Sequence, residues 1–243
     1  MAVKQPIRHF FTNMVCGLIA NKARRKKVRV LLNSDLRAYT KFIRSDLGVT
    51  HLHKIRTAIG YGAQNLIVIV NDAWVYKFPL CKSKPNEIAL REKRIVDAFS
   101  KISPIYVPPV QLLQLNNMYV RKYEFIHGRT FAQLRDDEIN AHIDEWSTEI
   151  AKFIYVMATS DPEQIADLKP VNSTAHKTFY GWCHGDIAGN FMIDNHTHKI
   201  IAVIDWEDCH YGDFSGIWTS SLKRGTEFYN IVRDKYLKLC GEK

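Results

Sequence analysis

No apolar run in the 243 residues is long enough to cross a bilayer. The stretch Met14 to Ala20 is broken by Gly17 and ends in a basic patch, far short of the roughly 20 residues a spanning helix needs, and it does not read as a secretory signal. Cysteine pairs are missing as well. Cys16, Cys81, Cys183, Cys209 and Cys240 are odd in number, widely spaced and form no CxxC motif. That excludes a disulfide framework and a cysteine-built zinc site, and it fits a reducing, cytoplasmic setting. There is no internal repeat and no low-complexity segment. Acidic residues are the scarcer charge: 34 Lys and Arg stand against 25 Asp and Glu, giving a net charge of +9 and a pI of about 9.3. Such a balance suits polyanionic partners, and it equally serves solubility.

With 46% hydrophobic residues the chain can build one large domain or two small lobes. A helix is expected from Ile7 to Ala20. The cluster Lys22, Arg24, Arg25, Lys26, Lys27 and Arg29 that follows can contact polyanions or can be a solvated surface. Ser34 is the expected cap of the next helix, in which Leu36, Tyr39, Phe42 and Ile43 share a face and Gly48 is the stop. From residue 50 to 80 the pattern is strand, turn, strand, turn, strand. Gly60 and Gly62 lie in the first turn, with Asn65 at its end, and Asn71-Asp72 forms the second. Lys77 stands inside the third strand, as an edge charge or as a functional lysine. The helix expected over Asn86 to Phe99 carries Glu92 in the middle of its apolar stripe, whereas Glu87 points away; a carboxylate aimed at a core is costly unless paired. Pro104, Pro108 and Pro109 keep residues 101–109 as a loop. A hairpin across Asn116-Asn117 leads to Tyr123-Glu124-Phe125-Ile126. Beyond it lie helices over Asp144 to Met157 and Thr226 to Leu239, and a short helix over 172–180.

The informative stretch is 181–208. Two short apolar runs, Phe191 to Ile193 and Ile200 to Ile204, are separated by the polar segment Asp194 to Lys199 and read as a hairpin. Asp186 and Asn190 stand before the first strand and Asp205 after the second, so the hairpin draws all three to one edge. Hard oxygen donors gathered there suit Mg²⁺, which takes one or two carboxylates plus substrate phosphates.

His184-Gly185-Asp186, then Asn190, then Ile204-Asp205-Trp206-Glu207, resembles the catalytic and metal segments of the aminoglycoside phosphotransferase and choline kinase-like family, and Gly212-Asp213 also matches. The resemblance covers roughly residues 50 to 218. It implies an α+β, two-lobed, protein-kinase-like fold. The N-terminal helical segment would be 1–49, a small antiparallel-sheet, nucleotide-binding lobe 50–126, and a larger, mainly helical lobe for catalysis and acceptor binding 127–243. It implies ATP and Mg²⁺ as cofactors. Asp186 would be catalytic, and Asn190 and Asp205 would hold the metal. Lys77, oriented by Glu92, would hold the phosphates, under a loop with Gly60, Gly62 and Asn65. The adenine would sit on backbone groups of Tyr123, Glu124, Phe125 and Ile126. His184 is expected to brace the loop and not to act as a base.

Two departures stand out. The family places its metal asparagine five residues after the catalytic aspartate, and here Asn190 follows Asp186 by four, a shortening that Gly189 would absorb through unusual dihedrals. The fuller glycine pattern of protein kinases is missing, which argues against a protein substrate. The implied function is ATP-dependent transfer of a phosphoryl group to a hydroxyl of a small molecule, aminoglycoside-like or another sugar or amino alcohol. The alternative is a nucleotide-binding pseudokinase or interaction protein with little transfer activity. Asp136, Asp137, Glu138, Asp144 and Glu145 offer a polycation some carboxylates, while the net charge argues the other way. Trp146, Tyr155, Trp182, Trp206 and Trp218 could supply an aromatic cage for a quaternary amine.

Overall fold

The computed structural model describes residues 16, 19–59, 65–80, 84–170, 178–217 and 226–241. Most of the helix expected over 7–20, Gly60 and Gly62, and most of the segment 172–180 lie outside these. The backbone divides into two compact units, Met1–Asn86 with Leu112–Phe125, and Glu87–Gln111 with Ile126–Lys243.

In the first unit, helix α1 (Lys22–Asn33) precedes α2 (Leu36–Leu47). The cap of α2 is Asp35, whose carboxylate accepts from the Ala38 amide at 3.1 Å. Ser34 instead closes α1, its hydroxyl donating to the Val30 carbonyl at 2.7 Å. Two capping-type residues in a row serve two helix ends, a choice spacing alone does not make. Gly48 ends α2 in the left-handed region, as expected. The sheet is built from β1 (Ile55–Ile59), β2 (Asn65–Val70), β3 (Trp74–Pro79), β4 (Gln111–Leu115) and β5 (Met118–Glu124), in the order β1-β2-β3-β5-β4. Strands β1 and β2, β2 and β3, and β3 and β5 pair antiparallel. Asn71 and Asp72 both take positive φ in the three-residue turn 71–73 between β2 and β3, which is closed by the Ala73 amide donating to the Val70 carbonyl at 3.0 Å. Leu66, Val68 and Val70 alternate inward and meet Tyr76, Phe78 and Val120, with Tyr39 and Ile43 of α2 laid over them. Tyr39 stacks on Phe78 at 4.1 Å between ring centroids. Asp46 fastens the helix by accepting from Tyr76 Oη at 2.6 Å and Lys122 Nζ at 2.8 Å.

The second unit holds most of α3 (Pro85–Phe99), then β6 (Arg129–Thr130), α4 (Asp136–Ala141), α5 (Ile143–Thr159), β7 (Tyr180–Cys183), β8 (Phe191–Ile193), β9 (Ile200–Val203), β10 (His210–Asp213) and α6 (Thr226–Leu239). Its core is aromatic. Phe99 stacks on Trp206 at 5.7 Å and meets Trp182 edge-on at 5.9 Å, while Phe153 meets Phe191 and Trp206 edge-on. Trp146, Trp182 and Trp206 are at most 1% exposed. They are core residues and form no cage for a cation; Trp218 lies outside the described residues.

Strand β7 was not expected: the helix foreseen through residue 180 gives way to a strand that pairs antiparallel with β10, Trp182 opposite Tyr211 and Gly181 opposite Gly212. Each partner is short and contains a glycine, so neither shows a two-residue alternation. Gly181 lets β7 approach the end of α5, where a Cβ would stand 2.3 Å from the Ala158 carbonyl oxygen.

Candidate active site

The hairpin forms as its pattern predicts. Phe191 faces Val203 and Met192 faces Ala202 in β8 and β9. The Ile204 amide extends the ladder by donating to the Asn190 carbonyl at 3.0 Å. This bond sets Asn190 beside the residue that precedes Asp205. The Asn190 side chain donates through Nδ2 to the Asp186 carbonyl at 2.7 Å, which turns its Oδ1 end the other way. Asp186, exposed, Asn190 and Asp205, both half-buried, are thus drawn to one end of the hairpin. Asp205 takes φ 68° and ψ 64°, a left-handed conformation that few residues other than glycine adopt.

Residues 187–189 form one turn of 3-10 helix between Asp186 and Asn190. Gly189 is not among the glycines with positive φ, so the expectation that it absorbs the difference through unusual dihedrals is corrected.

Several groups hold this edge in place. His184 is 1% exposed; its Nε2–H donates to the Ile204 carbonyl at 3.1 Å and its ring meets Trp206 edge-on at 4.9 Å. Trp206 Nε1–H donates to the Val203 carbonyl at 3.0 Å. Gly185, at φ +82°, packs so closely that a Cβ there would lie 2.3 Å from the Asp208 carbonyl oxygen. Arg91 of α3 reaches the same turn, Nη1 donating to the Glu207 carbonyl at 3.2 Å and Nη2 to that of Cys209. Trp182 Nε1 and His184 Nδ1 have no hydrogen-bond partner among the described residues, and both side chains line one cavity of about 10 Å³, room for a single water.

Burial pushes the His184 pKa down from 6.5 to about 4, against the opposing pull of the Asp205 carboxylate. The ring is therefore neutral at pH 7 and braces the loop. Its folded pKa lies below the unfolded value, so the stability tied to the neutral ring is fully present above pH 6.5 and is lost as pH falls toward 4. The expected loss is about 2 kcal/mol by pH 5, above the range in which ordinary carboxylates titrate. Urea unfolding at pH 7.5 and pH 5 should show this loss in the wild type and a much smaller one in His184→Gln, which keeps a donor for Ile204. Equal losses in both proteins would remove His184 as the cause.

A phosphotransferase enzyme family model matches residues 162–215, the segment that carries Asp186, Asn190, Asp205 and Gly212-Asp213. No curated protein matches the chain in sequence. Among solved structures, the GDP complex of wild-type aminoglycoside 2'-phosphotransferase-IIIa superposes with a TM-score of 0.68 at 15% identity, over 84% of this chain and 83% of that one. The streptomycin–ATP complex of APH(2")-IIa gives 0.58 at 16%, over 84% of each chain. Macrolide 2'-phosphotransferase type I gives 0.60 at 16%, over 86% and 84%. The chain has the aminoglycoside-phosphotransferase fold. The small antiparallel-sheet part and the larger, mainly helical part expected of it are both present.

Within this phosphotransferase fold the remaining site candidates are distributed between the two units. Lys77 is 7% exposed in β3, the middle strand of five, opposite Ile67 and Arg121. That position removes the reading of an edge-strand charge. Its ammonium lies over the Tyr123 ring, 5.4 Å from the centroid. Asn65 opens β2 and is 4% exposed, with its side-chain oxygen accepting from the Arg121 guanidinium. Tyr123 and Glu124 end β5, and the Phe125 amide donates to the Ala73 carbonyl at 2.8 Å. In the second unit Glu92 is 1% exposed among the buried Ala89, Ile95, Val96 and Phe99, where the helical spacing put it.

Three of the carboxylates offered to a polycation have partners on the protein itself. Glu138 pairs with Arg129 at 2.6 Å, and this bond chiefly holds its carboxyl down at about 2. Asp137 pairs with Arg135 at 2.9 Å and Asp144 with Lys235 at 2.6 Å. Two residues near the site carried no signal in the sequence. Arg91 is an ordinary helix arginine until its carbonyl partners are seen. Tyr229 of α6 is 4% exposed, and burial with the added charge of Asp186 raises its phenol pKa, which places it within electrostatic reach of Asp186.

No group of three or more His, Cys, Asp or Glu side chains among the described residues is placed to hold a metal. The amide oxygen of Asn190 and the carboxylate of Asp205 would offer two hard oxygens. That fits Mg²⁺, which fills its other positions with water and phosphate oxygens, and does not fit zinc. Among the described residues no helix is long and apolar enough to cross a membrane.

Proposed function

We propose that this chain is an ATP-dependent phosphotransferase that moves the γ-phosphoryl group to a hydroxyl of a small molecule. One observation carries the reading: the bonds from Ile204 to Asn190 and from Asn190 to Asp186 draw the three residues of the matched motif to one edge. Asp186 aligns the acceptor hydroxyl and accepts its proton late, as the new oxygen–phosphorus bond forms and the bond to the departing nucleoside diphosphate breaks. Asn190 and Asp205 would hold Mg²⁺, which when bound would neutralise charge on the phosphates. Lys77 holds the phosphates, the role the resemblance implies for it, and residues 123–126 present backbone groups to the base. A cytoplasmic setting agrees with the cysteine pattern. With Glu138 held by Arg129 and the chain at a net charge of +9, an uncharged or weakly charged sugar or amino alcohol suits this protein better than a polycation.

Relatives of this fold were solved with GDP and with ATP, so both nucleotides belong in the test. Thermal unfolding with ATP or GTP, each with and without Mg²⁺, should show stabilisation that requires the metal, about 2.7 kcal/mol at a hundredfold excess over Kd. Asp205→Ala should abolish the metal requirement together with most of the stabilisation. Stabilisation indifferent to Mg²⁺ in the wild type would favour the nucleotide-binding module without transfer.

A further inference from the structure

The turn that follows Asp205 is gripped from a distant part of the sequence. Its 3-10 segment, Trp206–Asp208, is anchored inward by Trp206, 1% exposed and stacked on Phe99 of α3. On its other side the half-buried Arg91, also of α3, donates to two of its carbonyls, Glu207 at 3.2 Å and Cys209. The Asp208 carbonyl between them rests against Gly185 and accepts from His210 Nδ1 at 2.9 Å. Asp205 itself stands in a left-handed conformation, which persists only where the surroundings over-determine it. A guanidinium is suited to this task. Its planar fork reaches two acceptors at fixed spacing, and a charged donor bonds a carbonyl about twice as strongly as a neutral one.

We propose that Arg91 is a positioning residue for the metal site: by clamping the Glu207 and Cys209 carbonyls it fixes the direction of the Asp205 carboxylate and hence the affinity for Mg²⁺. The inference rests on the reading of Asp205 as a metal ligand. Arg91 precedes the buried Glu92 on the same helix, so α3 both carries that glutamate and sets the turn that carries Asp205. Groups that orient a ligand without touching the metal commonly change metal affinity by about 10–100-fold when removed.

The test uses the full chain and two measurements. The first is amide hydrogen exchange of segment 204–210 without nucleotide or metal. The second is a Mg²⁺ titration of nucleotide-induced thermal stabilisation, with Mn²⁺ as a spectroscopic stand-in. Arg91→Met should speed exchange in 204–210 and raise the half-effective Mg²⁺ concentration about tenfold or more. Arg91→Lys, which keeps the charge and loses the fork, should fall between, and it supplies the measurement if the methionine variant fails to fold. Arg94→Met is the control: Arg94 lies on the same helix and bonds Asp167 and the Gln164 carbonyl, so it should leave the Mg²⁺ midpoint unchanged. A Mg²⁺-dependent wild type with an unchanged midpoint in both Arg91 variants overturns the inference and leaves the functional reading standing. A wild type whose nucleotide stabilisation ignores Mg²⁺ overturns both.

Discussion

Asp186→Ala is expected to lower acceptor-dependent ADP release by about 10²–10⁴-fold, the range that removal of a positioned proton acceptor produces, and to leave the affinity for Mg²⁺ and nucleotide within a few fold. The separation follows from geometry. The Asp186 carbonyl, not its carboxylate, receives the Asn190 amide, so alanine keeps the backbone acceptor that fixes Asn190. Asp186 is exposed, three residues beyond β7 at the start of the 3-10 turn, and the bond that fixes Asn190 does not use its carboxylate. Steady-state kinetics should therefore show the loss in kcat, while the Mg²⁺ midpoint of nucleotide-induced stabilisation hardly moves. A variant that loses both together would mean that Asp186 acts through the structure of the loop. A variant with full turnover would take Asp186 out of the chemistry.

Gly185→Ala should be the most damaging methyl group that can be added to this chain's active edge. At φ +82° an L side chain is strained wherever it stands, and here its Cβ would also lie 2.3 Å from the Asp208 carbonyl oxygen. Both obstacles are backbone against backbone, so no rotamer relieves them. An expected cost of about 2–4 kcal/mol corresponds to roughly 5–15 °C in Tm for a chain of this size. The clash pushes on the turn that carries Asp205, so Mg²⁺-dependent stabilisation should fall further than the stability loss accounts for. Gly189→Ala, four residues on, is the internal control. Its Cβ would meet only the Ala132 Cβ, at 3.5 Å, an ordinary contact, and Tm should stay within about 2 °C. Equal effects at the two glycines would refute the close approach of residue 185 to the Asp208 turn.

Where a pattern was local, the sequence was legible. The hairpin of β8 and β9 shows in two apolar runs and a polar turn, and its topology alone brings Asp186, Asn190 and Asp205 together. Glu92 declares itself by standing in an apolar stripe of α3. Thr226–Leu239 follows from recurring aromatic and aliphatic residues. What stayed hidden depends on partners remote in sequence. Strand β7 exists because β10 pairs with it, and neither alternates for long enough to be seen alone. Of the tryptophans that could have caged a cation, Trp206 stacks on Phe99 and meets Phe153 edge-on, Trp182 meets Phe99 edge-on and Trp146 meets Phe131 edge-on, which no spacing rule foretells. Glu138 looked available until Arg129 was found on it. Arg91 matters through two carbonyls more than a hundred positions away. The short Asp186 to Asn190 spacing was visible, but the 3-10 turn over residues 187–189 was a matter of backbone geometry.

The most direct test of phosphoryl transfer at this edge is a coupled assay of ADP release from Mg·ATP against aminoglycosides, choline, ethanolamine and sugars, run for the wild type beside Asp186→Ala. The account predicts release that depends on one class of acceptor, favours uncharged or weakly charged alcohols over polycationic aminoglycosides, and is lost in the variant. Mg·ATP binding accompanied by a background release that no acceptor raises, and that is the same in Asp186→Ala, would contradict it.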